Sequence, residues 1–277
     1  MLSRLQACFG LKWNPFSPEV PTEALWGSPP IRHFCQRMES LARHGGFALI
    51  SGDPGTGKSV ALRCLFQHLS SFSDLTVAVL TRPQSRMADF YRELGQLFAI
   101  NLSPHNRWAG FKVLRQKWHD HLQTTCLRPV LLIDEAQEMH PHVLAEIRLL
   151  QSTHFDSCSL LTVVLCGDAR LTNQFRHPDL LPIASRIQLR LLMEPHPPAE
   201  LLDFLRFALQ QAGNPNLLSP ELMTTLAEHS AGNYRVLTHM AQELLQEAIQ
   251  RELPRLDEKL YLEFFSRDSR PRSVSRR

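Results

Sequence analysis

The chain has 277 residues, 43% of them hydrophobic, which suits one large domain or two small ones with a real core. Its formal net charge of +3 is too mild to point to nucleic acid by itself, so the placement of the charges matters more than their sum. Six cysteines without C-x-x-C spacing argue against zinc and against a disulfide framework, and the lack of an apolar run of ~18 residues or an apolar N-terminal leader leads us to expect a soluble, cytosolic protein.

In chain order, residues up to about Arg43 read as irregular, with Pro15, Pro18, Pro21, Pro29 and Pro30, except for a helix from Ile31 to Arg43. Phe47–Ser51 reads as a short buried strand, 52–57 as a glycine- and proline-broken loop, and Val60–Leu69 as a helix. Further apolar runs at 75–81 (LTVAVLT), 129–134 (PVLLID), 160–166 (LLTVVLC) and 187–193 (IQLRLLM) predict strands. Helices over 87–100, 107–122 and 141–151 fall between them. Continuous Val/Ile/Leu runs separated by helices indicate a parallel sheet covered on both faces. After Pro195-His196-Pro197-Pro198 the strand signal stops, and 199–212, 219–230 and 234–252 read as amphipathic helices. Ser219-Pro220-Glu221 is a sound helix start. The last residues, SRDSRPRSVSRR, are basic and read as a disordered tail. No internal repeat is present.

The chemistry concentrates in three places. GDPGTGKS fits the G-x-x-x-x-G-K-[ST] pattern in a strand–loop–helix context. Gly52, Gly55 and Gly57 permit close approach and positive φ, so successive N–H groups can point at an anion. The helix dipole adds to this, Lys58 supplies a charge for the β- and γ-phosphates, and Ser59 a hydroxyl for Mg²⁺. The nucleotide-binding stretch is thus Gly52, Asp53, Pro54, Gly55, Thr56, Gly57, Lys58, Ser59 and Val60. VLLIDEAQ, 130–137, ends a strand in two acids. Asp134 is the candidate Mg²⁺ ligand and Glu135 the residue that polarises the attacking water. In CGDARL the strand is expected to lie between the phosphate-loop strand and the Asp134 strand. Asp168 either contacts the γ-phosphate or lytic water or is simply the cap of the following helix; because an acid is an awkward partner for phosphate, a further reading is that it positions water or a basic neighbour.

With these elements in order, the chain resembles the AAA+ ATPases, and within them the ExeA-like branch. Its opening FGLKWNPFSPEVPTEALWGS, GDPGTGKS, LLIDEAQ, CGDARL and the helical end carry the match to about residue 265. The resemblance implies a P-loop NTPase (AAA+) α/β fold: a parallel sheet with helices on both faces, followed by a small all-helical lid domain. The expected divisions are an N-terminal segment 1–44 packing on the nucleotide site, a core 45–194, a lid 195–265 and a basic tail 266–277. It implies ATP and Mg²⁺ as cofactors and hydrolysis to ADP and phosphate. In LPIASRIQLR it makes Arg186 the arginine finger that completes a neighbouring subunit's site, and therefore implies an oligomer, ring or filament. In SAGNYRVLTHMAQ it makes Arg235 a phosphate contact in cis. Phe9 and Phe16, with Leu11 and Trp26, either fold over the adenine or are ordinary core.

Proteins of this branch that serve secretion are longer and carry a transmembrane helix after the ATPase. The length of this chain fits instead the short ATPases similar to the regulators of Tn7-like and Mu-like elements. These assemble on double-stranded DNA and recruit transposase and target-selection proteins, with no membrane part. The alternative is a secretion or cell-envelope assembly ATPase. The expected DNA-backbone contacts lie in two loops, Arg82, Ser85 and Arg86 in the first, and His105, Asn106 and Arg107 in the second. The tail arginines grip DNA or transposase, or are a solvated end. His119/His121 and His140/His142 sit two apart, a spacing that does not share a helix face, so metal binding is not expected there.

Overall fold

The computed structural model describes residues 2–81, 83, 86–102, 106–153 and 157–268, and divides into two compact units: Met1–Trp26 with Pro195–Arg277, and Gly27–Glu194. The basic tail beyond residue 268 lies outside the described residues.

The first unit is helical. It holds α1 (Leu2–Phe9) from the N-terminus. The segment 27–194 follows as the second unit, with α2 (Pro29–His44), β1 (Gly46–Gly52), α3 (Lys58–Ser70), β2 (Leu75–Leu80), α4 (Met87–Leu97), α5 (Arg107–Asp120) and β3 (Arg128–Ile133). It continues through α6 (Pro141–Gln151), the two-residue strands β4 (Ser152–Thr153) and β5 (Cys158–Ser159), β6 (Thr162–Gly167), α7 (Ala169–Gln174), α8 (Leu181–Ala184) and β7 (Ile187–Met193). The chain then returns to the helical unit with α9 (Pro198–Ala212), α10 (Pro220–His229), α11 (Tyr234–Gln250) and α12 (Glu258–Asp268).

The α/β unit is built on a five-stranded sheet in the order β2-β3-β6-β1-β7, with parallel pairing throughout. β6 lies between β1 and β3, as the sequence predicts. The strands alternate their side chains between two faces with period two. Phe47, Leu49, Leu131, Ile133, Val163 and Leu165 face a core closed by α4 to α8. Ala48, Ile50, Val130, Leu132, Val164 and Cys166 face a second core closed by α2 and α3. Both faces are apolar because both are covered, which is why these strands read as unbroken runs.

The helical unit gathers its own core. Leu5, Phe9, Leu11 and Phe16 are buried with Leu205, Leu209, Leu237, Leu244 and Leu256. The N-terminal segment is fastened by backbone as well as by apolar area: Lys12 N donates to Ala212 O at 2.9 Å, and Asn214 Nδ2 to Phe9 O at 2.9 Å. The expected N-terminal segment 1–44 is thus two things, a strap of the helical unit up to Trp26 and the first helix of the α/β unit after it. α1 escapes the sequence reading, where the prolines after residue 14 dominate, although Leu5 and Phe9 share one helical face. α8 and α12 escape it too.

The cysteines divide by burial. Cys8, Cys126 and Cys158 are exposed, whereas Cys35 and Cys166 are buried. Burial pushes the Cys35 thiol up to about 12 and the Cys166 thiol up as well. Only thiolate reacts with maleimide. Brief labelling of the native protein at pH 8 is expected to modify the three exposed cysteines, and Cys35 and Cys166 only after denaturation, as read by peptide mass mapping.

Candidate functional site

At the carboxyl end of β1 the chain turns through Gly52, Asp53, Pro54, Gly55, Thr56 and Gly57 into α3. Gly52 has no room for a side chain, since a Cβ there would sit 2.2 Å from the Met193 carbonyl oxygen of β7. Gly55 and Gly57 take positive φ of 86° and 99°, the left-handed backbone that other residues reach only with strain. Thr56 is buried, and its Oγ1 donates to Asp53 O at 2.8 Å, fixing the loop from inside. Lys58 is 8% exposed, and its Nζ donates to Gly52 O and Asp53 O, both at 2.9 Å. The ammonium therefore lies across the mouth of the loop. Ser59 is exposed and Val60 half-buried in the first turn of α3. A left-handed glycine loop, a cation and a helix N-terminus together fit a phosphate group.

Asp134 and Glu135 follow β3. The Glu135 N–H donates to Asp134 Oδ1 at 2.9 Å. Glu135 itself has φ 49° and ψ 41°, a conformation that costs a non-glycine residue on the order of 1 kcal/mol and that re-aims its carboxylate. Cys166, at the end of β6, lies beside the Asp134 position, since Ile133 pairs with Leu165 and Ile50 with Cys166. Its thiol is raised first by burial and then by the Asp134 carboxylate, to which it is hydrogen-bonded, while Lys58 acts in the opposite sense. Lys58, Asp134 and Cys166 thus share one electrostatic neighbourhood at the carboxyl edge of the sheet.

Asp168 caps α7, its Oδ1 accepting from Arg170 N at 2.8 Å, and it pairs with Arg170 Nε at 2.9 Å. It is thus the cap of α7 with a basic neighbour beside it. Arg170 reaches Glu138 Oε1 at 2.7 Å as well. Gln137 is buried and joins Glu135 to the backbone N–H of Asp168. Arg170, Cys166 and Gln137 were not singled out from the sequence, although Gln137 stands in the acid-tipped motif itself.

Arg186 precedes β7, at the amino edge of the sheet. β7 pairs Ile187 with Phe47 and Met193 with Gly52, so Arg186 is separated from its own phosphate loop by the length of a strand, roughly 17 Å. Its Nη1 donates to Pro182 O at 2.5 Å. Arg235 is exposed in the first turn of α11, where Asn233 Oδ1 accepts from Arg235 N at 3.0 Å and Val236 N at 3.2 Å. Phe9 and Phe16 are 5% and 2% exposed and pack within the helical core.

The two loops expected to contact DNA are described only in part. Arg82, Ser85 and His105 lie outside the described residues, and Arg86 is exposed just before α4. Asn106 is the cap of α5, its Oδ1 accepting from Ala109 N at 2.9 Å. Arg107 reaches across to α6, where its Nε donates to Glu146 Oε1 at 2.9 Å and its Nη2 to Oε2. Glu146 is 1% exposed and also accepts the Tyr91 hydroxyl at 2.5 Å. A buried carboxylate needs such partners, because desolvation costs several kcal/mol per ion. The same carboxylate raises the Arg107 guanidinium, and the Tyr91 hydroxyl is raised first by burial and then by Glu146. Asn106 and Arg107 thus have partners within the fold, and the Arg107 side chain remains largely exposed.

Residues 41–175 match the AAA domain family. This AAA region is continuous with a wider likeness: the chain is 32% identical over 248 residues to General secretion pathway protein A of Aeromonas hydrophila, covering 88% of this chain and 44% of that protein. It thus spans less than half of that relative's length. Among solved structures it is similar to Cdc6p from Pyrobaculum aerophilum, with TM-score 0.69, 17% identity, and coverage of 87% of this chain and 67% of that one. It is also similar to the Aeropyrum pernix ORC1 protein in complex with DNA, with TM-score 0.69, 16% identity, and coverage of 92% and 68%. The fold is that of the P-loop AAA+ proteins. Among the described residues, no helix is long and apolar enough to cross a membrane.

Two outcomes follow from this geometry. Arg107→Ala is expected to destabilise the protein by about 1–3 kcal/mol, because a buried carboxylate loses its cation, measured by the urea midpoint at constant m. Glu135→Gln is expected to keep nucleotide affinity while lowering turnover by roughly 10²–10⁴, measured by fluorescent nucleotide binding beside phosphate release.

Proposed function

We propose that the chain is a nucleotide-switched AAA+ ATPase that self-associates on duplex DNA and regulates transposition. In this reading the ATP-bound assembly recruits transposase and target-selection proteins, and hydrolysis takes it apart. The observation that carries the self-associating part is the position of Arg186. It stands a strand's length from its own phosphate loop, at the opposite edge of the sheet, where it suits a neighbouring copy's site. The fold likeness to the Aeropyrum pernix ORC1 protein in complex with DNA supports DNA as the partner.

ATP with Mg²⁺, when bound, supplies the γ-phosphoryl group and the charge that polarises it. Lys58 and the N–H groups of the glycine loop hold the phosphates. Ser59 and Asp134 would supply the oxygen donors for the cation. Glu135 would orient water and accept its proton as the water oxygen bonds to the γ-phosphorus and the bond to the departing ADP breaks. Arg186 of a neighbouring copy would balance the charge that builds on the phosphoryl oxygens, a contribution on the order of 10³–10⁵ in rate.

A second reading, a secretion or cell-envelope assembly ATPase, is favoured by the likeness to the Aeromonas hydrophila protein. Light scattering and fluorescence anisotropy with duplex DNA and a non-hydrolysable ATP analogue separate the two. Assembly that requires both ligands, with affinity falling nearly one log unit per log unit of salt for each phosphate contacted, supports the first. Assembly indifferent to DNA supports the second, and a protein that stays monomeric with both ligands overturns the shared oligomeric reading. Subunit mixing tests Arg186 directly. Lys58→Ala and Arg186→Ala are each expected to be inactive, and their mixture to regain turnover well above either, because some junctions then pair an intact loop with an intact arginine.

A further inference from the structure

We propose that Gln137 is the positioning residue for Glu135, and that its carboxamide couples the Glu135 carboxylate to the amino end of α7. This inference rests on the ATPase reading above.

The side-chain amide is held between two groups of opposite demand. Its Oε1 accepts from the backbone N–H of Asp168 at 3.2 Å, and its Nε2 donates to Glu135 Oε2. A backbone N–H offers only a donor and a carboxylate only acceptors, so a single orientation of the amide satisfies both. The site is shaped for it. Gln137 is 5% exposed, and a Cβ on Gly167 would lie 2.5 Å from its Oε1. Position 167 must therefore stay a glycine for the amide to reach Asp168.

The main chain of Gln137 is held as well. Gln174, the last residue of α7, donates from Nε2 to Gln137 O at 2.9 Å. Both ends of α7 thus bond the same residue, one to its side chain and one to its carbonyl. Arg170, from the first turn of α7, adds ion pairs to Asp168 and to Glu138. Glu135 itself has a left-handed backbone just after β3. Gln137 engages Oε2, while Oε1 makes no hydrogen bond among the described residues and is the oxygen that faces water in this scheme. Gln137 touches no substrate atom and acts only through Glu135.

The test compares Gln137→Met, which keeps length and apolar volume, with Gln137→Ala. Both are expected to lower kcat by roughly 10–100-fold, the usual effect of losing an outer hydrogen-bond partner, with KM for ATP changed less than about twofold. The thermal midpoint of the Met variant is expected to stay near wild type. In single-turnover cleavage, Gln137→Met added to Glu135→Gln is expected to cause no further loss, since its route of action is already gone. A Met variant with wild-type kcat, or a loss that multiplies in the Glu135→Gln background, overturns the proposal. A wild-type protein that does not cleave ATP overturns the ATPase reading instead, so the two failures are distinguishable.

Discussion

The constraint on which the site depends is the insertion of β6 between β1 and β3. Three parallel strands end together at one edge, and each end delivers a different chemical element. β1 delivers the glycine loop and Lys58, β3 delivers Asp134 and Glu135, and β6 delivers Cys166, Gly167 and Asp168. No local propensity brings these groups together, since β1 and β6 are separated by more than a hundred residues. The register does it, and the register is held because both faces of the sheet are buried. A one-residue slip would turn each strand's apolar set toward the wrong core.

Much of this edge was legible in the sequence, for a physical reason. Strands covered on both faces must be apolar at nearly every position, so β1, β3 and β6 announce themselves as runs, while the edge strand β7 alternates buried and exposed positions. The glycine loop is legible because its backbone excludes side chains, at Gly52 by the Met193 carbonyl and at Gly55 and Gly57 by positive φ. Less visible were groups whose role depends on partners far along the chain. Gln137 reads as an ordinary polar residue until β6 brings the Asp168 N–H to it. Arg170 reads as a surface cation until Glu138 and Asp168 close around it.

Arg107 and Asn106 have partners that the sequence does not reveal. A basic and an amide residue at a helix start look suited to phosphate, and in isolation that reading is sound. It misses Glu146, a single carboxylate on α6 that is buried and so requires a cation. The demand of one desolvated charge decides where the guanidinium goes. Phe9 and Phe16 belong to the same lesson in apolar form: aromatic side chains free to cover a ligand in the sequence are claimed by the leucines of α9 and α11.

The helical unit draws its core from both extremities of the chain, with the α/β unit threaded between them. During synthesis on the ribosome, the α/β unit can close as soon as β7 has emerged. The strap carrying Leu5, Phe9, Leu11 and Phe16 is made before the α/β unit yet acquires its partners after it. Until α9 to α12 appear, those side chains remain apolar and unsheltered, the kind of surface that chaperones recognise and that favours aggregation when translation stalls.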